Sequence, residues 1–150
     1  MSHGKRPGGL TAMAVINFVF GGFGALGFLG LIVFLLILTG TVSNEDTQKV
    51  KESFEEAGLG AGFLAFLLSV QLLAVVLLIT SGVGYLKQKR VLGRYLGNTY
   101  ALVSISVNLI SALMMPGESG GFNLGTVIGL IYPVLTLFML NTTFKEDLVN

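Results

Sequence analysis

The feature that most constrains this chain is where its charges are missing. Nine Lys and Arg and eight Asp and Glu are spread so unevenly over 150 residues that four long intervals carry no formal charge. These run from Pro7 to Asn44, Ala57 to Leu86, Tyr95 to Gly117 and Ser119 to Phe144. Each can hold the roughly 20 apolar residues that cross a hydrocarbon layer of about 30 Å. The composition agrees: 53% of residues are hydrophobic and 11% charged, with a mean hydropathy of +0.82, whereas a soluble domain is about 25% charged. A soluble core of this size would not hide four such segments. The expected fold is therefore all-α: a polytopic membrane protein built as a four-transmembrane-helix bundle, with both termini cytoplasmic. It is read as one membrane domain over 1–150, with helices near 9–39, 60–84, 95–114 and 124–140 and an outer loop at 40–59.

Within the first interval, "GFGALG" at 22–27 matches the spacing G-x-G-x-x-G of a dinucleotide-binding turn. Such a turn needs a strand before it, a helix whose amides face phosphate after it, and alternating strand and helix units beyond. Here the chain continues "FLGLIVFLLILTG" with no polar face, so neither a nucleotide nor nucleic acid is an expected partner. The glycines fit another job. Gly21, Gly24, Gly27 and Gly30 recur every three residues, and Gly21 pairs with Ala25 in a small-x-x-x-small pattern that lets helix backbones approach in lipid. Gly93 with Gly97 and Gly125 with Gly129 repeat the pattern, as does Gly58 with Gly62.

Charge distribution sets the expected orientation. Lys5, Arg6, Lys87, Lys89, Arg90, Arg94 and Lys145 fall on one side of a four-span arrangement, against Lys49 and Lys51 on the other. The positive-inside rule makes the first side cytoplasmic. "MSHGKRPGG" starts like a signal peptide, but the apolar run after it is too long for a signal core, so a signal anchor is expected. At about 1.5 Å per residue the run over 9–39 would span about 46 Å, so helix 1 must tilt, kink or protrude. In the outer loop, Val50 with Phe54 and Lys51 with Glu55 suggest a short surface helix, with Ser43 and Asp46 as a weak cap. The stretch "YLKQKRVLGRY" reads as a tight basic turn, and Pro133 predicts a bend in the last helix.

Little in the sequence points to chemistry. There is no cysteine, the single histidine is His3, and no span carries an ionisable group of the kind that couples ion or proton transport. Ser69, Ser104, Ser106 and Ser111 lack a paired base, and Glu52, Glu55 and Glu56 read as solvated surface. No catalytic, cofactor-binding or metal-binding residue is expected, and no enzyme. Asn17, Gln71 and Asn108 stand out as amides within the spans, at different depths. Amides in lipid seek partners, so they are read as polar contacts between helices. Lys87, Lys89, Arg90 and Arg94 are candidate contacts for lipid headgroups. Asn141-Thr142-Thr143 matches a glycosylation acceptor on the cytoplasmic side, where it would go unused.

"RPGGLTAMAVINFVFGGFGALG" with "GVGYLKQKRVLGRYLGNTYALVSI" resembles small four-helix bacterial membrane proteins of no assigned function. The resemblance implies a bacterial cytoplasmic (inner) membrane and transfers no functional residue. The expected function is that of an accessory or scaffold subunit. Its partners would be membrane lipids and either another integral membrane protein or copies of itself. A small transporter or channel with a neutral polar path, and a lipid-binding or envelope-stress protein, are the alternatives.

Overall fold

A computed structural model describes residues 7–42, 44–56, 61–114 and 124–148. Lys5, Arg6, His3, Ser43, Gly58 and the loop around Glu118 lie outside the described residues, as do the side chains of Val50, Phe54, Glu55 and Ser111 and the surroundings of Gly125. The described chain is all-helical: α1 (Gly8–Leu38), α2 (Glu45–Glu56), α3 (Ala61–Leu86), a π-helical segment (Arg90–Tyr95), α4 (Leu96–Met114) and α5 (Leu124–Asn141).

Helices α1 and α3 are apolar all round, as a helix surrounded by apolar material must be. Two stretches, Gly8–Leu38 and Gly62–Leu86, are long and apolar enough to cross a membrane. Only 11% and 22% of their most apolar windows are buried. Core helices of a soluble protein would be mostly buried, so the sizes of these numbers matter. Phe23, Leu26 and Phe138 are each more than 60% exposed, and exposed apolar area of this extent marks contact with something other than water.

Local signals explain the helix ends. Gly40, at φ +76°, stops α1: its N–H bonds Ile37 O at 3.0 Å and the Thr41 N–H bonds Leu36 O at 2.9 Å, the paired closure of a left-handed helix cap. At α2 the cap among the described residues is Asn44; the expected Ser43 lies outside them. Asn44 Oδ1 accepts from the Thr47 N–H at 2.8 Å, and Thr47 Oγ1 accepts from the Asn44 N–H at 2.7 Å. Two orphan donors are thereby satisfied reciprocally, and Glu45 and Asp46 suit the positive end of the helix dipole. The expected outer loop at 40–59 thus contains a helix. The stretch expected as one tight basic turn is instead the end of α3, a three-residue connection (Lys87, Gln88, Lys89) and the π-helical segment. The helix α5 continues through Pro133.

The chain divides into two compact units: Gly22–Val75, and Met1–Gly21 with Val76–Asn150. In the larger unit, Leu10, Met13, Ala14, Tyr85, Leu140, Phe144 and Leu148 form a buried core. Phe144 and Leu148 come from the short tail, which a reading by charge alone takes for surface. The Phe144 ring covers Gly9 so closely that a methyl group there would lie 3.2 Å from Cε1. In the smaller unit, the second half of α1 meets the first half of α3 where Gly24 faces Val75 and Gln71.

Candidate functional site

The strongest concentration of polar groups inside apolar helices is centred on Asn17. This side chain is fully buried. Its Nδ2 donates to Ser81 Oγ at 2.8 Å, and its Oδ1 accepts from the Tyr132 hydroxyl. One amide therefore ties α1 to α3 and to α5. Bonds of this kind between helices in lipid are worth roughly 0.6 to 2 kcal/mol each. Ser81 also donates to Leu78 O at 3.1 Å. Tyr132 is held in place by Phe20, edge to face at 5.0 Å, and by Tyr100 at 6.3 Å. Beside this node Tyr85 and Thr136 are fully buried, and their hydroxyls have no hydrogen-bond partner among the described residues.

The other two amides do separate jobs. Gln71 Nε2 donates to Gly24 O at 3.1 Å, a bond open to it because Gly24 has no side chain in the way. Asn108 Nδ2 bonds its own helix, at Ser104 O, 2.8 Å away, while its Oδ1 faces Gly129. The three amides form no common ring.

The glycines divide in the same manner. A Cβ at Gly21 would come within 2.9 Å of Ile79, and one at Gly24 within 2.8 Å of Val75. At Gly27 the nearest atom is Gln71 Nε2 at 3.7 Å, and at Gly30 there is nothing within 4 Å. Residues spaced by three step back around a helix by about 60° each time, given about 3.6 residues per turn. Gly21 and Gly30 therefore point in opposite directions, and the four glycines do not make one packing face. Gly93 contacts Leu148 and Tyr85, and Gly97 sits against the Tyr85 hydroxyl and Leu140. The tightest position is Gly84, not singled out from the sequence, where a Cβ would land on the backbone of Leu92 and Gly93, 2.6 Å from Gly93 Cα. Its signal was a glycine directly before an exposed basic turn.

Of the four basic candidates, Lys87, Lys89 and Arg90 are exposed and Arg94 is half-buried; Arg90 and Arg94 line a cavity of about 310 Å³ with Lys145, Glu146 and Leu148. A shallow, open apolar surface runs along one face of α5, over Val127, Leu130, Ile131, Val134, Leu135 and Phe138. The chemistry of these places is hydrogen bonding, charge attraction and apolar contact. Among the described residues, no three His, Cys, Asp or Glu gather as metal ligands would. Compared with models of known protein families, with curated proteins and with solved structures, the chain matches none.

Proposed function

We propose that this chain is a non-enzymatic integral membrane protein, an accessory or scaffold subunit that packs laterally against another membrane protein or against copies of itself. In this reading α1, α3, α4 and α5 are four spans, and both termini lie in the cytoplasm. The membrane is a bacterial cytoplasmic one, as the resemblance of the sequence suggests. Support for the orientation comes from the gathering of Arg90, Arg94 and Lys145 around one cavity, since cations are retained on the cytoplasmic side.

The observation that carries lateral packing is an open face of α1. Gly22 and Gly30 have nothing within 4 Å of where a Cβ would stand, and Leu26 between them is 65% exposed. Residues at i, i+4 and i+8 share one helix face. Bare backbone flanking an exposed leucine is the surface on which a second helix gains close van der Waals contact in lipid. The transporter alternative has less support, because Asn17 and Gln71 spend their donors on internal partners.

Native mass spectrometry after gentle extraction from the source membrane tests this. A fixed stoichiometry with a second protein or with itself is expected, and Gly30→Leu should abolish it while helical content stays unchanged. A lone chain, with or without the substitution, would overturn the reading.

A further inference from the structure

We propose that the π-helical segment, the chain's last turns and α5 together seat one anionic phospholipid, with its phosphate on Arg90, Arg94 and Lys145 and an acyl chain along the apolar face of α5. This rests on the membrane placement proposed above.

The cavity lined by Arg90, Arg94 and Lys145 holds three cations against one carboxylate, Glu146. Its volume of about 310 Å³ is at the lower end for clefts that hold small ligands. Among the described residues, none of the three cations is paired with a carboxylate. Arg94 is instead held by an amide: its Nε and Nη2 donate to Asn141 Oδ1 at 3.4 and 3.2 Å. Asn141 is fixed in turn, donating from Nδ2 to Asn98 Oδ1 at 3.0 Å and to Leu137 O at 2.8 Å. A neutral partner positions a guanidinium without neutralising it. The three N–H donors that remain can fork onto phosphate oxygens. The guanidinium of Arg90 lies 5.6 Å from the Tyr95 ring centroid, which steadies it by cation–π attraction and again leaves its charge intact. Bonding from residue i to i+5 in the π-helical segment puts Arg90, Arg94 and Tyr95 on adjacent positions of one side.

The apolar face of α5 supplies the other half of the ligand. From Val127 to Phe138 it rises about 16 Å at a helical rise of about 1.5 Å per residue. That matches one leaflet's share of a hydrocarbon core of roughly 30 Å. Phe138, at one end of this surface, and Asn141, which holds Arg94, are three residues apart and so neighbours on one face of α5. The apolar surface therefore leads to the residues that position the cations. Charge complementarity at one end and an open apolar helix face about one leaflet long at the other together fit a phospholipid rather than a soluble phosphate. Glu146 favours a headgroup that carries a hydroxyl donor beyond its phosphate, as phosphatidylglycerol does, over a bare phosphate monoester.

The test uses the full chain in detergent with mixed phosphatidylglycerol and phosphatidylcholine, and counts retained lipid by native mass spectrometry. One phosphatidylglycerol per chain is expected. Arg90→Gln with Lys145→Gln should weaken its retention about a hundredfold, the scale of losing two charge-assisted hydrogen bonds. Lys87→Gln with Lys89→Gln, outside the cavity, should leave retention unchanged. Ile131→Trp, which puts a bulky ring on the apolar face, should release the lipid. In a separate arm, millimolar glycerol phosphate should fail to displace it. Equal retention of both lipids, an equal loss on removing Lys87 and Lys89, or displacement by glycerol phosphate would each overturn the seat. Recovery of the chain in the soluble fraction without detergent would instead overturn the membrane reading beneath it.

Discussion

The two units use the same residues differently. In the unit made of Met1–Gly21 and Val76–Asn150, Gly9, Gly21, Gly82, Gly84, Gly93, Gly97 and Gly129 each have a neighbour within 4 Å of an added Cβ. In the same unit Gly8 has none; in Gly22–Val75, among the described residues, Gly22, Gly30, Gly40 and Gly62 have none and Gly24 and Gly27 are approached. The first unit also holds the buried core and the Asn17 node. In the second, a bond from Gln71 to Gly24 joins the long helices. In the lipid setting proposed above, helix pairs would need close backbone contact or polar bonds. One unit has both in quantity. The other leaves several of its small residues open, and the lateral packing proposed above would use that surface.

The sharpest way to break this comparison is to put the same side chain into both. Gly84→Leu drives a Cβ into the backbone of Leu92 and Gly93, and a backbone cannot swing aside as a side chain can. A loss of at least about 3 kcal/mol, at the upper end of overpacking costs, is expected. It would be read as absent folded protein in size-exclusion chromatography of the detergent extract. Gly30→Leu should keep the unfolding midpoint of the isolated chain within about 0.5 kcal/mol, the range for surface substitutions. Equal damage from the two would erase the distinction between the units.

Polar deletions come next in size. Asn17→Leu leaves the Tyr132 hydroxyl without its acceptor and removes a donor from Ser81. About 2 kcal/mol should be lost in denaturant unfolding. Gln71→Leu breaks one bond, in a half-buried place, and should cost about 1 kcal/mol or less. A larger effect at Gln71 would mean that the smaller unit depends on polar bonding as much as the larger one.

These contrasts explain what was legible in advance. Helix positions followed from charge-free intervals, since a charge in an apolar helix is costly wherever that helix packs. Asn17 was legible as an amide needing a partner. Ser81 and Tyr132 were not, because a serine or tyrosine in an apolar run is commonplace and only the fold brings residues 17, 81 and 132 together. The glycine run was visible as a run, but a spacing of three disguises four directions as one stripe. Gly84 was hidden for a different reason. Its constraint comes from a π-helical segment, and that segment has no hydrophobic period to reveal it. Phe144 and Leu148 were missed because the acids and lysine between them dominate the tail's composition.

A smaller effect separates satisfied from unsatisfied groups inside the larger unit. The Tyr85 hydroxyl is buried with no partner among the described residues, and an unpaired buried hydroxyl costs about 1 to 3 kcal/mol. Tyr85→Phe removes the group and should leave stability equal or raise it by up to about 1 kcal/mol, in contrast to Asn17→Leu. A clear loss would mean that a bound water or small polar group satisfies the Tyr85 hydroxyl.

The smallest expected effect compares the two helix ends that close in the same way. α1 ends with Gly40 at φ +76°, and α3 ends with Gln88 at φ +51°. Around Gln88 the bonds repeat the pattern at Gly40, from Gln88 N–H to Tyr85 O at 3.3 Å and from Lys89 N–H to Gly84 O at 2.9 Å. A left-handed conformation costs a residue with a Cβ about 1 to 2 kcal/mol. Replacing Gln88 by glycine removes that strain, but it also frees the unfolded chain, offsetting about 0.4 to 1 kcal/mol. The net gain from Gln88→Gly should be about 0.5 kcal/mol in the unfolding midpoint, and Gly40→Gln should cost a similar amount. The strain at Gln88 persists because Gly84, whose carbonyl accepts the Lys89 N–H, is itself pressed against Gly93. Both contacts fix where the π-helical segment leaves α3, and with it the positions of Arg90 and Arg94. If Gln88→Gly loosens phosphatidylglycerol retention while raising stability, the strained turn is part of what holds the cations in place. If retention is unchanged, the backbone contact between Gly84 and Gly93 holds them without it.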